Sequence, residues 1–231
     1  KMSMKARQQL LVGGTRKTMG GRLTTVKHDV IAEFRGSVHV MPPDSSDETY
    51  LGFPSSGFKK SLMAAAIDIP GVEKRQVGRL LWISEQYVPI WGIPKLFLSV
   101  TRSSDINKTP DIRTRAILPR WGTVVAINFA RPHLSPQAVM NLVTAAGRTC
   151  GLGDWRPEKG GPYGQYQPVE LDDPALVELM QAAGREAQLA ALERPEPYDH
   201  DTLELLQLYV EYAKAKNWNV ELPEHLMEVA S

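Results

Sequence analysis

The chain has 231 residues, 42% of them hydrophobic, enough for one large domain with an appendage. Its one cysteine, Cys150, excludes an internal disulfide and a cysteine-rich metal site and predicts a reducing, cytoplasmic setting; the apolar runs are too short for a transmembrane helix, and none reads as a secretory signal. The formal net charge of +1 conceals a division, because residues 1–171 hold 23 Lys+Arg against 13 Asp+Glu (+10) and residues 172–231 hold 4 against 13 (−9).

A basic body attracts a polyanion. An acidic appendage can cover that surface, pair with a neighbouring subunit's basic face, or keep the protein soluble.

In chain order, residues 1–27 form a basic Gly/Thr-rich arm without sustained periodicity, which reads as disordered or as ordered only on binding. Residues 28–41 alternate, with Val30, Ala32 and Phe34 on one parity and Val38 and Val40 following Gly36, and predict a first strand. Residues 42–49, PPDSSDET, are a polar turn. Ser55 and Ser56 are candidate caps for a helix whose Phe58, Leu62, Ala65, Ala66 and Ile69 form one stripe, stopped by Pro70-Gly71. Residues 79–83, 87–91 and 95–100 read as short strands of a hairpin or meander. A polar and basic excursion over 102–120 returns through 112–118, and 123–129 (TVVAINF) is a strong strand.

Ser135 followed by Pro136 marks a helix start, a capping hydroxyl before proline at the first helical position. Val139, Leu142, Val143 and Ala146 form its apolar face. Beyond a glycine-rich loop, residues 163–171 are predicted as a closing strand. Asp173-Pro174 opens a helix to about 192. Asp201 with Glu204 opens another to about 216, and Pro195 and Pro197 lie between them. The fold class expected is α+β, a ferredoxin-like or RRM-type antiparallel sheet with the glycine-rich loop before its last strand (28–171), followed by an acidic helical tail (172–231).

The loop is the densest chemical signal. Gly147, Gly151, Gly153, Gly160, Gly161 and Gly164 are six of the chain's 18 glycines. Glycine tolerates positive φ and lets backbone N–H groups approach a phosphate or another chain. Arg148, Trp155, Arg156, Lys159, Tyr163 and Tyr166 lie among them, residue types that pair with phosphates and stack on bases. The competing reading is a tight loop whose glycines close turns and whose Trp155 plugs the core. Arg102, Lys108, Arg113, Arg115 and Arg120, with Trp121, form a second basic group with an aromatic at its end, suited to a sugar-phosphate chain. Its competing reading is a solvated charged loop over a buried Trp121. Lys59 and Lys60 are further phosphate contacts or simply a solvated helix face.

Catalysis is poorly supported. No two of His28, His39, His133, His200 and His225 have metal-ligand spacing, so no metal, cofactor or catalytic residue is assigned. Asp154 and Glu158 flank Arg156 and Lys159 as local ion pairs rather than a carboxylate dyad. GLGDWR imitates a dinucleotide fingerprint, but that motif needs a strand before it and a helix after it, the reverse of the order here, and no Walker A ending is present.

A glycine-rich loop with Gly151, Gly153, Gly160, Gly161 and Gly164, and Arg156 and Lys159 between them, placed before the last strand of a ferredoxin-like fold, resembles the signature of the RAMP superfamily of RNA-binding CRISPR effector proteins. The backbone subunits are the most similar, since they carry a long insertion where this chain has 102–120. RTRAILPRW followed by GLGDWRPEKGGPYGQY is also similar to bacteriophage and prophage proteins. The resemblance covers about 28–171 and implies a guide-RNA-binding subunit that polymerises along its ligand.

The reading from the sequence is thus a non-enzymatic subunit that binds single-stranded RNA or DNA and assembles with copies of itself and other subunits, with no membrane partner. The binding residues expected are Lys59, Lys60, Arg102, Lys108, Arg113, Arg115, Arg120, Trp121, Arg148, Gly151, Gly153, Trp155, Arg156, Lys159, Gly160, Gly161 and Tyr163. The alternatives are a metal-independent ribonuclease of the same fold, using His28, His39 or His133, and a phage assembly protein making only protein contacts.

Overall fold

The computed structural model describes residues 17–18, 21–22, 29–43, 48–69, 71–102, 110–215 and 222–229. Its strands are β1 (Lys17–Thr18), β2 (Gly21–Arg22), β3 (Gly52–Pro54), β4 (Leu81–Ile83), β5 (Tyr87–Pro89), β6 (Lys95–Arg102), β7 (Pro110–Ile117) and β8 (Ile127–Phe129). Its helices are α1 (Val30–Gly36), α2 (Ser55–Ala65), α3 (Lys74–Leu80), α4 (Pro136–Thr149), α5 (Pro174–Ala182), α6 (Arg185–Glu193), α7 (His200–Ala215) and α8 (Glu224–Val229). The protein is therefore mixed α and β, with small antiparallel sheets. Among the described residues each sheet has two strands, β1–β2, β3–β5, β4–β8 and β6–β7.

The described residues fall into two units. The first draws on 1–38, 92–120 and 186–231, the second on 39–91 and 121–185. The helical tail is divided between them: α5 belongs to the second unit, and α7 and α8 to the first.

In the first unit, the strand expected over 28–41 is corrected to a helix followed by a single bridge, Val40 to Leu51, the bridge lying in the second unit. Asp29 decides this. Its Oδ1 accepts the Ala32 N–H at 2.9 Å, satisfying one of the donors a helix start leaves bare, and Val30, Ile31 and Phe34 then fall on one buried face. Strand β7 pairs with β6 in register from Lys95–Ile117 to Arg102–Pro110, so residues 110–117 of the basic excursion are a strand laid antiparallel on β6, and 103–109 lie outside the described residues. Ser37 Oγ accepts the Ala116 N–H at 2.7 Å at the end of α1, tying that helix to β7. On the other edge of the hairpin, Leu96 N–H donates to the Glu196 carbonyl and Tyr198 N–H to the Leu96 carbonyl, both at 2.8 Å, while Thr202 Oγ1 of α7 accepts the Leu98 N–H at 3.3 Å. Asp199, rather than Asp201, caps α7 through the Thr202 N–H. Phe34, Leu96, Leu98, Ile112, Leu206 and Leu226 are buried in this unit.

The second unit packs α2, α3 and α4 around Leu62, Ala65, Ala66, Val77, Leu81, Val139, Leu142, Ala146 and Cys150. Ser135 Oγ accepts the Ala138 N–H at 3.1 Å and Pro136 opens α4, as the Ser-Pro signal predicts. Ser55 and Ser56 lie inside α2 rather than capping it, and residues 79 and 80, expected in a strand, complete α3. The expected strand over 123–129 shrinks to β8, which pairs with β4. The closing strand expected over 163–171 is corrected to irregular backbone. Gly164 has φ +74, outside the extended region, and Pro162 and Pro168 lack the N–H a ladder needs. The single helix expected over 174–192 is two, α5 and α6, interrupted at Ala183-Gly184, where the Arg185 N–H donates to the Glu48 carbonyl at 2.7 Å.

Candidate functional site

The glycine loop begins where α4 ends and belongs wholly to the second unit. Three of its glycines, and Gly147 in the last turn of α4, stand where another part of the chain approaches too closely for a side chain. A Cβ on Gly147 would meet the Tyr166 carbonyl, one on Gly164 the Leu152 carbonyl, and one on Gly161 the Trp155 carbonyl; Gly151, at φ +67, has the Gly164 carbonyl 2.9 Å from its ideal Cβ position. Gly153 and Gly160 take positive φ in open space.

The backbone donors follow the same closure. Gly151 N–H donates to Ala146, Leu152 to Gly164, Gly160 to Pro157, Gly161 to Arg156, Tyr163 to Trp155 and Tyr166 to Gly147, at 2.8–3.2 Å. These six N–H groups are engaged by carbonyls of the loop and of the end of α4. Arg156 has a structural job as well: Nε and Nη2 donate to Glu158 Oε2 at 2.9 and 2.6 Å, and Nη1 to the Gly153 carbonyl at 2.9 Å. This is the local ion pair expected from the sequence. Trp155, in contrast, is 51% exposed and meets Tyr163 edge to face with ring centres 5.7 Å apart, and Arg148 and Lys159 are exposed.

The loop's inner anchor is Tyr166. Its ring sits between Phe58 and Trp121, each 6.2 Å away, and its hydroxyl lies 3.4 Å from Ser61 Oγ. Burial pushes the phenol up, the Ser61 hydrogen bond offsets part of that, and the nearby Cys150 adds to it. Trp121 is half-buried and packs with Tyr166 against Phe58, Val88 and Leu152. Lys59 is half-buried and Lys60 exposed on α2.

The first unit holds the second basic group. Lys108 lies outside the described residues, as does the side chain of Arg102, whose backbone ends β6 opposite Pro110. On β7, Ile112 and Thr114 are buried, so strand alternation turns Arg113 and Arg115 to the other face. Opposite them on β6 stand Ser99 and Phe97. Phe97 meets Tyr198 edge to face, centroids 5.7 Å apart at 88°, and Lys95, on the same parity, pairs with Glu196 at 3.2 Å. Arg120 is exposed beyond the hairpin. Phe97 and Tyr198 were missed from the sequence; the alternation of Phe97 with Leu96 and Leu98 was the available signal.

No family model, curated protein or solved structure matches this chain. Among the described residues no three His, Cys, Asp or Glu side chains are grouped to hold a metal, and no helix is long and apolar enough to cross a membrane. His39 and His133 are exposed, and His28 lies outside the described residues.

Proposed function

We propose that this protein binds single-stranded nucleic acid, without catalysing a reaction on it, through cations set beside aromatic rings. One observation carries the reading. The outer face of the β6–β7 ribbon aligns Arg113 and Arg115 with Phe97, which stacks edge to face on Tyr198. Guanidinium groups neutralise successive phosphates and stack on bases, and an aromatic face accepts any base, so this combination favours an unpaired strand over a duplex whose bases are already stacked. In the second unit the Trp155–Tyr163 ring pair and the exposed Lys159 belong to one loop and add rings and a cation of the same kinds. A preference for RNA, assembly along a guide and a ferredoxin-like sheet come from the RAMP resemblance; the binding reading does not depend on them.

The test is purification without nuclease, followed by titration of a labelled 20-nucleotide single strand of RNA or DNA from low to high salt. Binding that weakens steeply with salt is expected. Replacing Arg113 and Arg115 together by Ala should flatten the log–log salt dependence by about 1.4, since each phosphate contact on a single strand contributes roughly 0.7. Co-purifying RNA of one length would support a guide-bound subunit. A clean protein that ignores both strands at low salt overturns the reading and favours an assembly protein making protein contacts.

A further inference from the structure

Positive charge without a partner gathers in the second unit, on the helix pair α2 and α3. Between residues 55 and 80 the chain carries Lys59, Lys60, Lys74, Arg75 and Arg79 against Asp68 and Glu73, five against two, a net of +3. The helices themselves, SSGFKKSLMAA and KRQVGRL, hold no acidic residue; both acids belong to the connection between them. Among the described residues none of the five cations is in an ion pair, whereas Lys95 is held by Glu196 and Arg156 by Glu158. Lys60, Lys74, Arg75 and Arg79 are exposed, and Lys59 is half-buried.

One contact brings the two groups together. An ideal Cβ on Gly78 of α3 would lie 3.0 Å from the Met63 methyl of α2, so Met63 rests directly on the α3 backbone. Lys59 and Lys60 precede Met63 by four and three residues, and Lys74 and Arg75 precede Gly78 by the same steps. On a helix those spacings keep residues on one face, one turn away, about 5.4 Å along the axis. The four cations therefore flank one seam, and Arg79 stands a turn beyond Arg75 on the same helix. Like charges so placed repel one another, and a bound polyanion relieves the repulsion. Phe58, Leu62, Ala65 and Val77, the apolar residues of the pair, are buried, and Ile67 is the one exposed large hydrophobic among the described residues between 55 and 80. A membrane surface takes a broad apolar face, and protein interfaces are poor in lysine, so neither suits this surface. A seam of unpaired Lys and Arg with no exposed ring matches a sugar-phosphate backbone, whose phosphates are present in paired and unpaired strands alike.

We infer that the α2–α3 pair is a phosphate-contacting surface through which the protein also binds duplex nucleic acid, with Lys60, Lys74, Arg75 and Arg79 on the phosphates. The inference goes beyond the single-strand reading and uses no residue of the β6–β7 ribbon. Its test titrates a labelled 20-base-pair DNA duplex from low to high salt. Wild-type protein should bind with steep salt dependence. Replacing Lys60, Lys74 and Arg75 together by Gln should lower the log–log slope by about 2.7, since each phosphate contact on a duplex contributes roughly 0.9, whereas Lys60→Arg with Lys74→Arg should keep it. In parallel, wild-type protein acetylated on its lysines with and without saturating duplex and digested for mass spectrometry should show Lys60 and Lys74 protected, while the exposed Lys214 of α7 reacts equally in both. That readout is independent of how the variants fold.

Wild-type protein that binds the single strand but not the duplex overturns the inference and leaves the single-strand reading standing. Duplex binding whose slope the triple variant keeps, or that leaves Lys60 and Lys74 unprotected, overturns it as well. If wild-type protein binds neither, both fall. Protection of the two lysines by phosphatidylserine vesicles and not by duplex would assign the helix pair to a membrane surface, and that result also overturns the inference.

Discussion

Single residues show which glycines the loop needs. At Gly164 a side chain would have positive φ and a Cβ inside the Leu152 carbonyl's space, so Gly164→Ala should cost about 3 kcal/mol or more. Gly153, at φ +89 with nothing near, should cost only about 1–2 kcal/mol on the same change, and comparison of the two thermal melts checks the ordering. Arg156→Ala should loosen the loop yet leave the salt dependence of strand binding unchanged, because Glu158 and the Gly153 carbonyl already engage the guanidinium. Tyr209, in the first unit, makes a prediction in pH. Burial, then the negative charges of Asp29 and Glu33, raise its phenol from 10.0 to about 12. The folded protein then holds this proton more tightly than the unfolded chain, so stability is unaffected below pH 10 and falls as pH rises from 10 towards 12. Melting temperatures across that window should drop in the wild type and drop less in Tyr209→Phe.

At the scale of elements, capping chemistry was legible at Ser135-Pro136 and Asp173-Pro174 but misplaced at Ser55-Ser56 and Asp201, and short alternating stretches were not legible. Ser135-Pro136 reads the same way in sequence and structure because a hydroxyl and a fixed φ act within four residues. Residues 28–41 satisfy an alternating pattern and, with Val30, Ile31 and Phe34, a helical one; the Asp29 cap decides between them and is itself visible in the sequence. Asp29→Ala should therefore cost about 1 kcal/mol, read as a lower melting temperature, and no change at all would mean the cap contributes nothing. The loop's self-closure was only half legible: its glycines announce close approach, but whether to a ligand or to Tyr166, Leu152 and Trp155 depends on the return path of the chain. The same gap hid the α2–α3 seam. Lys59-Lys60 is visible as a pair, yet the Met63–Gly78 contact that sets it beside Lys74 and Arg75 is fixed by tertiary packing alone.

At the scale of the whole molecule, charge division along the sequence does not match division in space. The acidic tail reads as an appendage, but Pro197 bridges to Leu96, Thr202 accepts the Leu98 N–H, and Leu205, Leu206 and Tyr209 are buried in the unit that contains the β6–β7 ribbon. A chain cut after residue 171 should thus lose the hairpin along with the tail: far-UV circular dichroism should show weaker ellipticity per residue than the full chain, and strand binding should fall rather than rise. Stronger binding by the truncated protein would mean that the tail only shields a preformed surface.

The same interleaving governs the order of events during synthesis. The chain leaves the first unit after residue 38, returns for 92–120, leaves again and returns at 186. When β7 has just been made, Thr202 of α7, which accepts the Leu98 N–H, is still 85 positions (202 − 117) from being made. At roughly 5–20 residues per second, the newborn hairpin waits on the order of ten seconds with its apolar side uncovered. Any chaperone that protects the nascent chain is needed most in that interval, between the two visits to the same core.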